Sequence, residues 1–527
     1  MEFSFRSAAA NWARFVERLK SGARSRAVKR DVAILDESGL FDRAWYLKRN
    51  PDVAEHHVDP VWHYLLCGAQ EGRDPSGTFS TSGYLETYPD VLAEGANPLL
   101  HYLKFGRAEG RVVVRRDYAA WIEQYDQLTG EDRGIFHLAV ERFAFKPLIS
   151  ILLPVYNTKA EHLERAIHSV IDQLYPHWEL CISDDASTDP KVKTILEDAA
   201  ARDSRIKLIY RDKNGHIAAN SNSALKLATG DYVGVLDHDD ELAAQALLWF
   251  VEEIQQHSDA EIIYCDEDKL DGEGVRTDPL FKPDWNPALI LSQNYVSHFT
   301  LYRRALIEAA GGFRIGFEGS QDHDLLLRCA ELVEASQIRH IPRILYHWRS
   351  HAGSTSSDIG LEAKPYAWEA GARAIQEHLD RTGVAASLRV TARQFYQVDY
   401  VPPSSAPEVT VIIPTALKIE IIEPCMTSIL RDTTYPNVEF IVVANRSQVD
   451  GASKRKFLAR LEKDPRVRLL MHDEHPFNYS RTNNLAVRQS DAPIICFLND
   501  DVEVIGRDWL DKLVARVSLE GVGAVGA

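Results

Sequence analysis

Apolar positions between residues 147 and 242 follow two alternating patterns. Residues 148–153 form an almost unbroken apolar run, which predicts a strand buried on both faces of a parallel sheet. From Leu163 to Leu174 apolar residues recur three and four positions apart, which predicts an amphipathic helix. Further strands are predicted over 179–182, 206–210 and 231–236, with a helix over 220–228. This succession predicts an α/β domain with a mostly parallel sheet and helices on both faces.

The same pattern returns after residue 407. Residues 409–415 (VTVIIPT) repeat residues 149–155 (ISILLPV) at an offset of 260. Ahead of this copy, a helix is predicted over 362–382, a strand over 387–400, and a Pro- and Ser-rich linker over 401–407. The second copy, 408–527, stops just past its own acidic turn. We therefore expect it to be truncated, with the nucleotide-binding half only.

The region before residue 146 is predicted to be helical. Residues 36–115 contain two repeats at an offset of 38, each with Pro at helix starts and Gly at a helix end, which predicts two helical hairpins for docking or protein interaction. His63 and His101 are interpreted as packing residues within them. Residues 116–145 are a predicted connector. Residues 1–35 predict a basic amphipathic helix. Residues 1–30 of this helix would lie either on the anionic surface of the inner membrane or against the rest of the protein.

Composition narrows the function. The 527 residues carry 60 basic and 77 acidic side chains, a net charge of −17, which argues against a nucleic-acid binder. The six cysteines form no CxxC pair, which favours core thiols in a reducing compartment. No apolar run reaches the about 18 residues that span a bilayer. A soluble, cytoplasmic protein with two or three cores is expected.

Acidic residues follow two of the predicted strands. The strand over 231–236 runs directly into Asp237, Asp239 and Asp240. Carboxylates crowded at the C-terminal end of a strand are neutralised by a divalent ion and a phosphate-bearing ligand, although a solvated acidic loop is the alternative. Asp184 and Asp185 follow another strand, where they would accept hydrogen bonds from a base or ribose, or form a turn.

Taken in order, six motifs resemble one family. They are PVYN (154–157), DDAS (184–187), Asn222 ahead of Gly230, DHDD (237–240), GSQDHDL (319–325) and HWRSH (347–351). Over residues 146–527 the chain resembles the family-2 glycosyltransferases of the GT-A fold, in particular tandem bacterial enzymes of cell-surface polysaccharide synthesis. The resemblance implies a Rossmann-like GT-A domain over 146–400 and a second GT-A-like domain over 408–527.

The resemblance also implies residue roles. Asp322 is the implied general base, with a helix cap as the alternative, and Gln321 stands where family members often carry Glu. Asp239 and His351 are the implied ligands of Mn²⁺ or Mg²⁺, with His347 competing for the role of His351. The implied nucleotide-sugar residues are Pro154, Tyr156, Asn157, Asp184, Asp185, Asn222, Asp237 and His238. Asp266 and Trp285 are implied on the acceptor side, with core packing as the alternative for Trp285, and Asp501 holds the metal position of the second copy.

The sequence thus predicts an inverting, metal-dependent transfer of a sugar from a nucleoside-diphosphate sugar to a hydroxyl of a glycan or lipid-linked glycan acceptor. The second copy has Ala444 and Asn445 for Asp184 and Asp185, and Asn499 for Asp237, so we expect it to be inactive alone. The alternative hypothesis is a non-catalytic scaffold of a polysaccharide assembly complex. A nucleotidyltransferase is disfavoured because no Gly-rich phosphate loop with a basic residue occurs early in the domain.

Overall fold

A computed structural model describes residues 26–526 apart from residues 57, 114–117, 351–364, 392–394 and 474–475. Most of the predicted basic helix in residues 1–30 and the predicted ligand His351 lie outside the described residues. In the described part of the chain, no helix is long and apolar enough to cross a bilayer. The described residues form a helical module and two α/β sheets, as the sequence predicts.

The helical module consists of two copies with the same elements. After α1 (Arg26–Asp36), the first copy contains α2 (Arg43–Arg49), α3 (Pro51–Glu55), α4 (Pro60–His63) and a π-helical turn (Tyr64–Gly68). The second contains α5 (Thr81–Thr87), α6 (Pro89–Ala93), α7 (Pro98–His101) and another π-helical turn (Tyr102–Gly106). Every element is displaced by 38 residues, but each copy has three short helices rather than the predicted hairpin of two.

A tyrosine-histidine hydrogen bond fixes each copy. The Tyr46 hydroxyl lies 2.9 Å from Nδ1 of His63, and the Tyr84 hydroxyl lies 3.2 Å from Nδ1 of His101. A Cβ atom at Gly68 would overlap the Tyr46 hydroxyl, so only glycine fits there. The structure therefore gives both histidines the packing role that the sequence analysis assigned to them.

The larger sheet has nine strands. They are β1 (Ile149–Val155), β2 (Trp178–Asp184), β3 (Ile206–Tyr210), β4 (Tyr232–Val235), β5 (Glu241–Leu242), β6 (Ile262–Leu270), β7 (Arg276–Leu280), β8 (Thr300–Arg303) and β9 (Ile338–Arg349). Their order is β3-β2-β1-β4-β8-β6-β9-β5, with β7 paired to β6. The four strands at the β3 end are parallel, whereas β8 runs antiparallel to both β4 and β6.

Both faces of this sheet are covered by helices. Ile151 and Leu153 point into one apolar cluster and Leu152 into the other, which explains the unbroken apolar run in β1. The helices are α10 (Ala160–Ile171), α11 (Pro190–Arg202), α12 (His216–Leu225), α13 (Ala246–Gln256), α14 (Arg304–Ala310), α15 (Gln321–Ala330) and α16 (Pro365–Arg381). The helix predicted over 220–228 is α12, which begins four residues earlier, at His216, directly after the N-cap residue Gly215.

The predicted strand over 387–400 is instead two antiparallel strands, β10 (Ala386–Val390) and β11 (Tyr396–Tyr400). The second sheet follows, with β12 (Val409–Thr415), β13 (Val438–Asn445), β14 (Val467–His472) and β15 (Ile494–Phe497). Its order is β14-β13-β12-β15, and all its pairs are parallel. Its helices are α17 (Ile419–Asp432), α18 (Gly451–Leu461), α19 (Tyr479–Val487) and α20 (Trp509–Val517). This is the arrangement of β1 to β4 repeated.

Two connector helices, α8 (Tyr118–Tyr125) and α9 (Gly130–Arg142), join the module to the larger sheet. The Tyr118 hydroxyl donates to Asp268 at 2.5 Å, and Arg276 donates to Asp268 and Asp126 at 2.6 Å each. Nδ1 of His347 lies 2.5 Å from the same Asp268 carboxylate. Burial opposes ionisation of Asp268, but these hydrogen bonds and the neighbouring positive charges lower its pKa overall. An ionic network thus attaches the connector to β6, β7 and β9.

Candidate functional site

A cavity of about 340 Å³ lies at the C-terminal ends of β1, β2 and β4. Four predicted nucleotide-sugar residues line it, namely Pro154, Tyr156, Asp185 and His238. Four residues that the sequence analysis missed complete the lining, namely Asn214, His216, Ile217 and Asn220. These four come from the turn before α12 and from its first turns. Ligands of open α/β sheets bind at this edge, so the cavity is the candidate donor site.

Asp185 forms one wall of this cavity and is almost fully buried. Its carboxylate accepts a hydrogen bond from Nε of Arg211 at 2.7 Å and two from the backbone N–H of Gly215 at 3.0 Å. The ion pair with Arg211 compensates the buried charge. Asp185 therefore positions the turn that brings Asn214 and His216 to the cavity.

Asp184 and Asn157 shape the neighbouring turn. The Asn157 backbone has φ +47°, and its side-chain oxygen accepts hydrogen bonds from the backbone N–H of Thr188 at 2.8 Å and of Asp189 at 3.3 Å. Oδ2 of Asp184 accepts from the N–H of Ser187 at 3.1 Å, whereas Oδ1 is buried without a hydrogen-bond partner. These side chains join the ends of β1 and β2, and neither residue lines the cavity.

Asn222 has a different role from the predicted one. Its amide donates to the carbonyl of Phe313 at 2.7 Å and accepts from the Phe313 N–H at 2.9 Å. Asn222 therefore does not line the donor cavity and instead joins α12 to residues 312–313. The cavity-facing asparagine is Asn220, two positions earlier on the helix, because residues two apart on a helix point in different directions.

The acidic turn after β4 is fixed by β9. Asp240 is buried and accepts hydrogen bonds from the Tyr346 hydroxyl and the Arg349 N–H, both at 2.7 Å. Arg349 also donates from Nε to the backbone oxygen of Asp239 at 3.0 Å. Asp240 is thus an anchor of the turn, and Asp237 and Asp239 are the carboxylates left on its more exposed side.

Charge crowding is strong in this turn. Asp237 keeps 39% of its side chain exposed, and its Oδ2 lies 3.6 Å from Nε2 of His298. Desolvation raises the pKa of Asp237, as do the charges of Asp239 and Asp322, while His298 and His238 oppose this effect. Desolvation and the same neighbours, Asp239 and Asp237, raise the pKa of Asp240 well above its usual value. Crowded carboxylates of this kind favour a bound cation.

Asp322 lies near the same acidic turn. It is in the first turn of α15, and its charge contributes to the raised pKa of Asp237. The side-chain amide of Asn294 donates to Oδ2 of Asp322 at 2.7 Å. Four residues further, Nε2 of His298 lies 3.6 Å from Oδ2 of Asp237. The sequence analysis missed Asn294 and His298 because neither belongs to a motif that it singled out.

The two predicted acceptor-side residues have structural contacts. Asp266 is buried, and its Oδ1 accepts from the backbone N–H of Lys282 at 2.8 Å and lies 2.8 Å from Nε2 of His340. Trp285 is half-buried against the apolar cluster of the sheet face that carries α12 and α15. Asp266 thus holds β6 against β9 rather than facing an acceptor, and Trp285 has the alternative core role that the sequence left open.

The residues around the acidic turn fit a divalent cation. Asp237 and Asp239 present hard oxygen atoms, which Mn²⁺ and Mg²⁺ prefer. Within the described residues no three His, Cys, Asp or Glu side chains converge as a complete metal site. His347, the competitor of His351, is bonded to Asp268. The described side chains would therefore supply one or two ligands and leave other positions to diphosphate oxygens.

The corresponding turn of the second copy is less acidic and more open. Asn499 replaces Asp237, and Asp501 is exposed. The Thr415 hydroxyl donates to Asp500 at 2.7 Å, which closes this turn onto the end of β12. At the end of β13, Asn445 accepts from the N–H of Ser447 at 2.9 Å and caps a short helical turn.

Comparison with known proteins agrees with this geometry. The model of Glycosyl transferase family 2 matches residues 150–311 and 410–527, together more than half of the chain. The chain belongs to glycosyl transferase family 2. The predicted family is therefore confirmed. The first matched segment covers β1 to β8, and the second covers β12 to β15.

Two curated relatives cover most of this chain. It is 45% identical over 409 residues to protein y4gI of Sinorhizobium fredii, which covers 77% of this chain and 44% of that protein. It is 38% identical over 415 residues to the O-antigen biosynthesis protein RfbC of Myxococcus xanthus, covering 78% of this chain and 31% of that protein. The chain thus spans less than half the length of these relatives. Among solved structures, S. aureus TarS 1-349 in complex with UDP-GlcNAc aligns with a TM-score of 0.36 and 21% identity, over 44% of this chain and 66% of that one.

Proposed function

We propose that this family member is an inverting glycosyltransferase that moves a sugar from a nucleoside-diphosphate sugar to a hydroxyl of a growing surface glycan. The observation that carries the proposal is that one short segment contacts both Asp322 and Asp237. Asn294 donates to Asp322 at 2.7 Å, and His298, four residues further, lies 3.6 Å from Asp237. The Asp322 carboxylate is then available to the acceptor and the Asp237 carboxylate to the donor. The donor cavity of about 340 Å³ adjoins the same acidic turn through His238.

In this proposal each side chain has one task. Asp185 and the residues around His216 bind the base and ribose of the donor, with Tyr156 at the exposed mouth of the cavity. Asp322 takes the proton of the acceptor hydroxyl as that oxygen attacks the anomeric carbon. The bond from the sugar to the diphosphate breaks on the opposite side, so a single displacement inverts the configuration.

Asp239 would hold the divalent ion, with Asp237 beside it and His351 as the further ligand that the sequence predicts. When bound, Mn²⁺ or Mg²⁺ supplies positive charge to the departing diphosphate. Arg349 donates to the backbone oxygen of Asp239 and so fixes the position from which the Asp239 side chain extends. The hydrogen bonds of Asp240 keep that residue out of direct ligation.

The substrate class and location are part of the proposal. The name of the relative RfbC supports an acceptor that is a glycan, free or lipid-linked, of the cell surface. The six free cysteines fit a reducing compartment, so we propose that transfer occurs in the cytoplasm. Residues 1–30 would add a peripheral contact with the inner membrane, which a pelleting assay with and without this segment tests.

The substitution Asp322→Asn tests the proposed base. We expect a transfer rate lower by about 10²–10⁴-fold, because the amide does not accept the proton. Donor binding should stay within about twofold, since Asp322 is not required to hold the nucleotide. UDP-, GDP- and dTDP-sugars with Mn²⁺ are screened for nucleotide release and binding, and Asp278→Asn, an exposed acid on β7, is the control. Undiminished transfer by the Asp322 variant would refute the base assignment.

The alternative is a non-catalytic scaffold of a polysaccharide assembly complex. The observations that favour it are the helical repeats and the replacement of Asp184, Asp185 and Asp237 in the second copy. This hypothesis expects the unmodified protein to release no nucleotide from any sugar nucleotide in the screen. Release that depends on Asp239 excludes it.

A further inference from the structure

The segment from Asn294 to His298 contacts both carboxylates of the proposed reaction. At one end the Asn294 amide donates to Oδ2 of Asp322 at 2.7 Å. At the other end His298 lies 3.6 Å from Asp237 and stacks on the ring of Tyr346, with ring centroids 5.3 Å apart. Between them, Oδ1 of Asn294 accepts from the N–H of Ser297 at 3.3 Å. The segment is therefore tied to itself as well as to the two acids.

A buried lysine fixes this segment from below. The side chain of Lys282 is fully buried, and its ammonium group donates to the carbonyls of Val296 and His298, both at 2.7 Å. Its third partner is the Glu267 carboxylate at 2.8 Å. Two N–H groups of the lysine thus hold backbone atoms of the segment, and the Glu267 carboxylate balances the lysine charge as an ion pair. A buried lysine is costly, so an arrangement of this kind marks a segment whose position matters.

We propose that residues 294–298 form a positioning loop in which Asn294 orients Asp322 as the proton acceptor and Lys282 holds the loop in place. This inference rests on the proposed function. Oδ2 of Asp322 is occupied by the Asn294 amide, so Oδ1 is the oxygen that receives the proton of the acceptor hydroxyl. The proton moves from that hydroxyl to Oδ1, and no further reactant is needed.

The orientation of the Asn294 amide follows from its partners. Asp322 offers only acceptor oxygens when ionised, and the Ser297 N–H is only a donor, so Nδ2 must face Asp322 and Oδ1 must face Ser297. A hydrogen bond donated to a carboxylate favours its ionised form, which is the form that accepts a proton. Asn294 is therefore a positioning residue that also keeps the base ready.

Two substitutions of Asn294 test this role. In Asn294→Ala we expect kcat to fall about 10- to 100-fold, the loss that one charge-assisted hydrogen bond implies. The acid limb of the rate profile should also move to higher pH, because the ionised base loses a donor. Asn294→Asp places a second carboxylate beside the base, so it should move that limb further in the same direction. The KM for the donor should change less than kcat, since Asn294 contacts Asp322 and does not line the cavity proposed for the donor.

The assay uses nucleotide release from the UDP-, GDP- and dTDP-sugars with Mn²⁺, over pH 5 to 9, with Asn437→Ala as control. The Asn437 side-chain amide likewise donates a hydrogen bond, at 2.6 Å to the Ala406 carbonyl, but next to the second sheet and away from the site. A merely structural role for Asn294 would scale the profile down without moving it, and that result overturns the proposal. So does an unchanged kcat in Asn294→Ala.

A substrate-free measurement complements the kinetics. We expect Asn294→Ala and Asp322→Asn to be non-additive in urea denaturation, because both act on the same hydrogen bond: the first removes its donor and the second removes the charge of its acceptor. Additive effects would contradict the proposed coupling. If Asp322→Asn stays active, the proposed function fails. If that variant is inactive while Asn294→Ala behaves as the unmodified enzyme, only the positioning role fails.

Discussion

Strands β1 to β4 of the larger sheet and strands β12 to β15 of the second sheet have the same arrangement, but the residues at their ends differ. In the first, Ile149 pairs with Trp178 and with Tyr232, and in the second, Val409 pairs with Val438 and with Ile494. Pairing partners therefore correspond at offsets of 260 to 262. Strand order, direction and register agree, although the sequences are far from identical.

The differences are concentrated where the strands end. The end of β2 carries two buried aspartates, and the end of β13 carries Ala444 and Asn445. The turn after β4 has Asp237, Asp239 and Asp240, while the turn after β15 has Asn499, Asp500 and Asp501. The comparison teaches that apolar strands specify the fold, while a few residues beyond them specify the chemistry.

The sharpest test of this comparison removes the matching aspartate from each copy. We expect Asp239→Asn to lower the transfer rate by about 10²–10³-fold, because the cation that would stabilise the charge on the leaving diphosphate is held less well. Asp501→Asn should leave the rate unchanged, since Asn499 stands in its turn where the first copy has Asp237. Nucleotide release with Mn²⁺ measures both. Equal losses in the two variants would show that the second copy takes part in catalysis.

A second test compares the ends of β2 and β13. Arg211→Ala leaves the buried Asp185 without its ion pair, so we expect the free energy of unfolding to fall by about 2–3 kcal/mol, somewhat less than for a fully buried pair because Arg211 is partly exposed. Asn445→Ala removes the cap of a short helical turn, worth about 1 kcal/mol. Urea denaturation of both variants measures the difference. An equal fall in the free energy of unfolding for Asn445→Ala and Arg211→Ala would contradict the expected difference between the ends of β2 and β13.

The smallest expected effect concerns the middle of the fourth strand of each copy. A Cβ atom at Gly234 would lie 2.5 Å from Phe299 and 2.7 Å from Leu301, because β8 pairs with β4 at this position. We expect Gly234→Ala to lower the free energy of unfolding by about 1–2 kcal/mol, because the added methyl group overpacks this contact. The corresponding Cys496 is half-buried, and Cys496→Ala should cost less than about 1 kcal/mol. Hydrogen exchange of β4 and β15 reports each change locally, and equal exchange rates in both variants would contradict the expectation.

The sequence predicts the elements whose signals are local. The apolar run at 148–153 and the periodicity from Leu163 to Leu174 correspond to β1 and α10. The hairpin of β10 and β11 is missed, because a strand of even spacing and a hairpin differ only in the turn between them. The strands β5 to β9 have no strong pattern of their own, since their pairing partners lie far away along the chain.

The site is predictable only in part for the same reason. Residues at the ends of β1, β2 and β4 lie in motifs, and Asp185 and His238 indeed meet at one cavity. Asn294, His298 and Lys282 act through contacts between distant segments, which no spacing along the chain records. Asn222 shows the opposite failure. Its motif position is clear, but the direction of its side chain is decided by Phe313, 91 residues away.

The ionic network around Asp268 has a consequence for how this enzyme is divided into modules. Arg276 and His347 belong to the catalytic sheet, yet Tyr118 and Asp126, which complete their contacts, precede the sheet by more than twenty residues. A fragment cut at residue 146 would lose Tyr118, one of the three side chains bonded to the buried Asp268, and Asp126, which pairs with Arg276. A fragment that keeps this network complete therefore starts ahead of Tyr118, and the connector is a structural part of the first sheet rather than a tether.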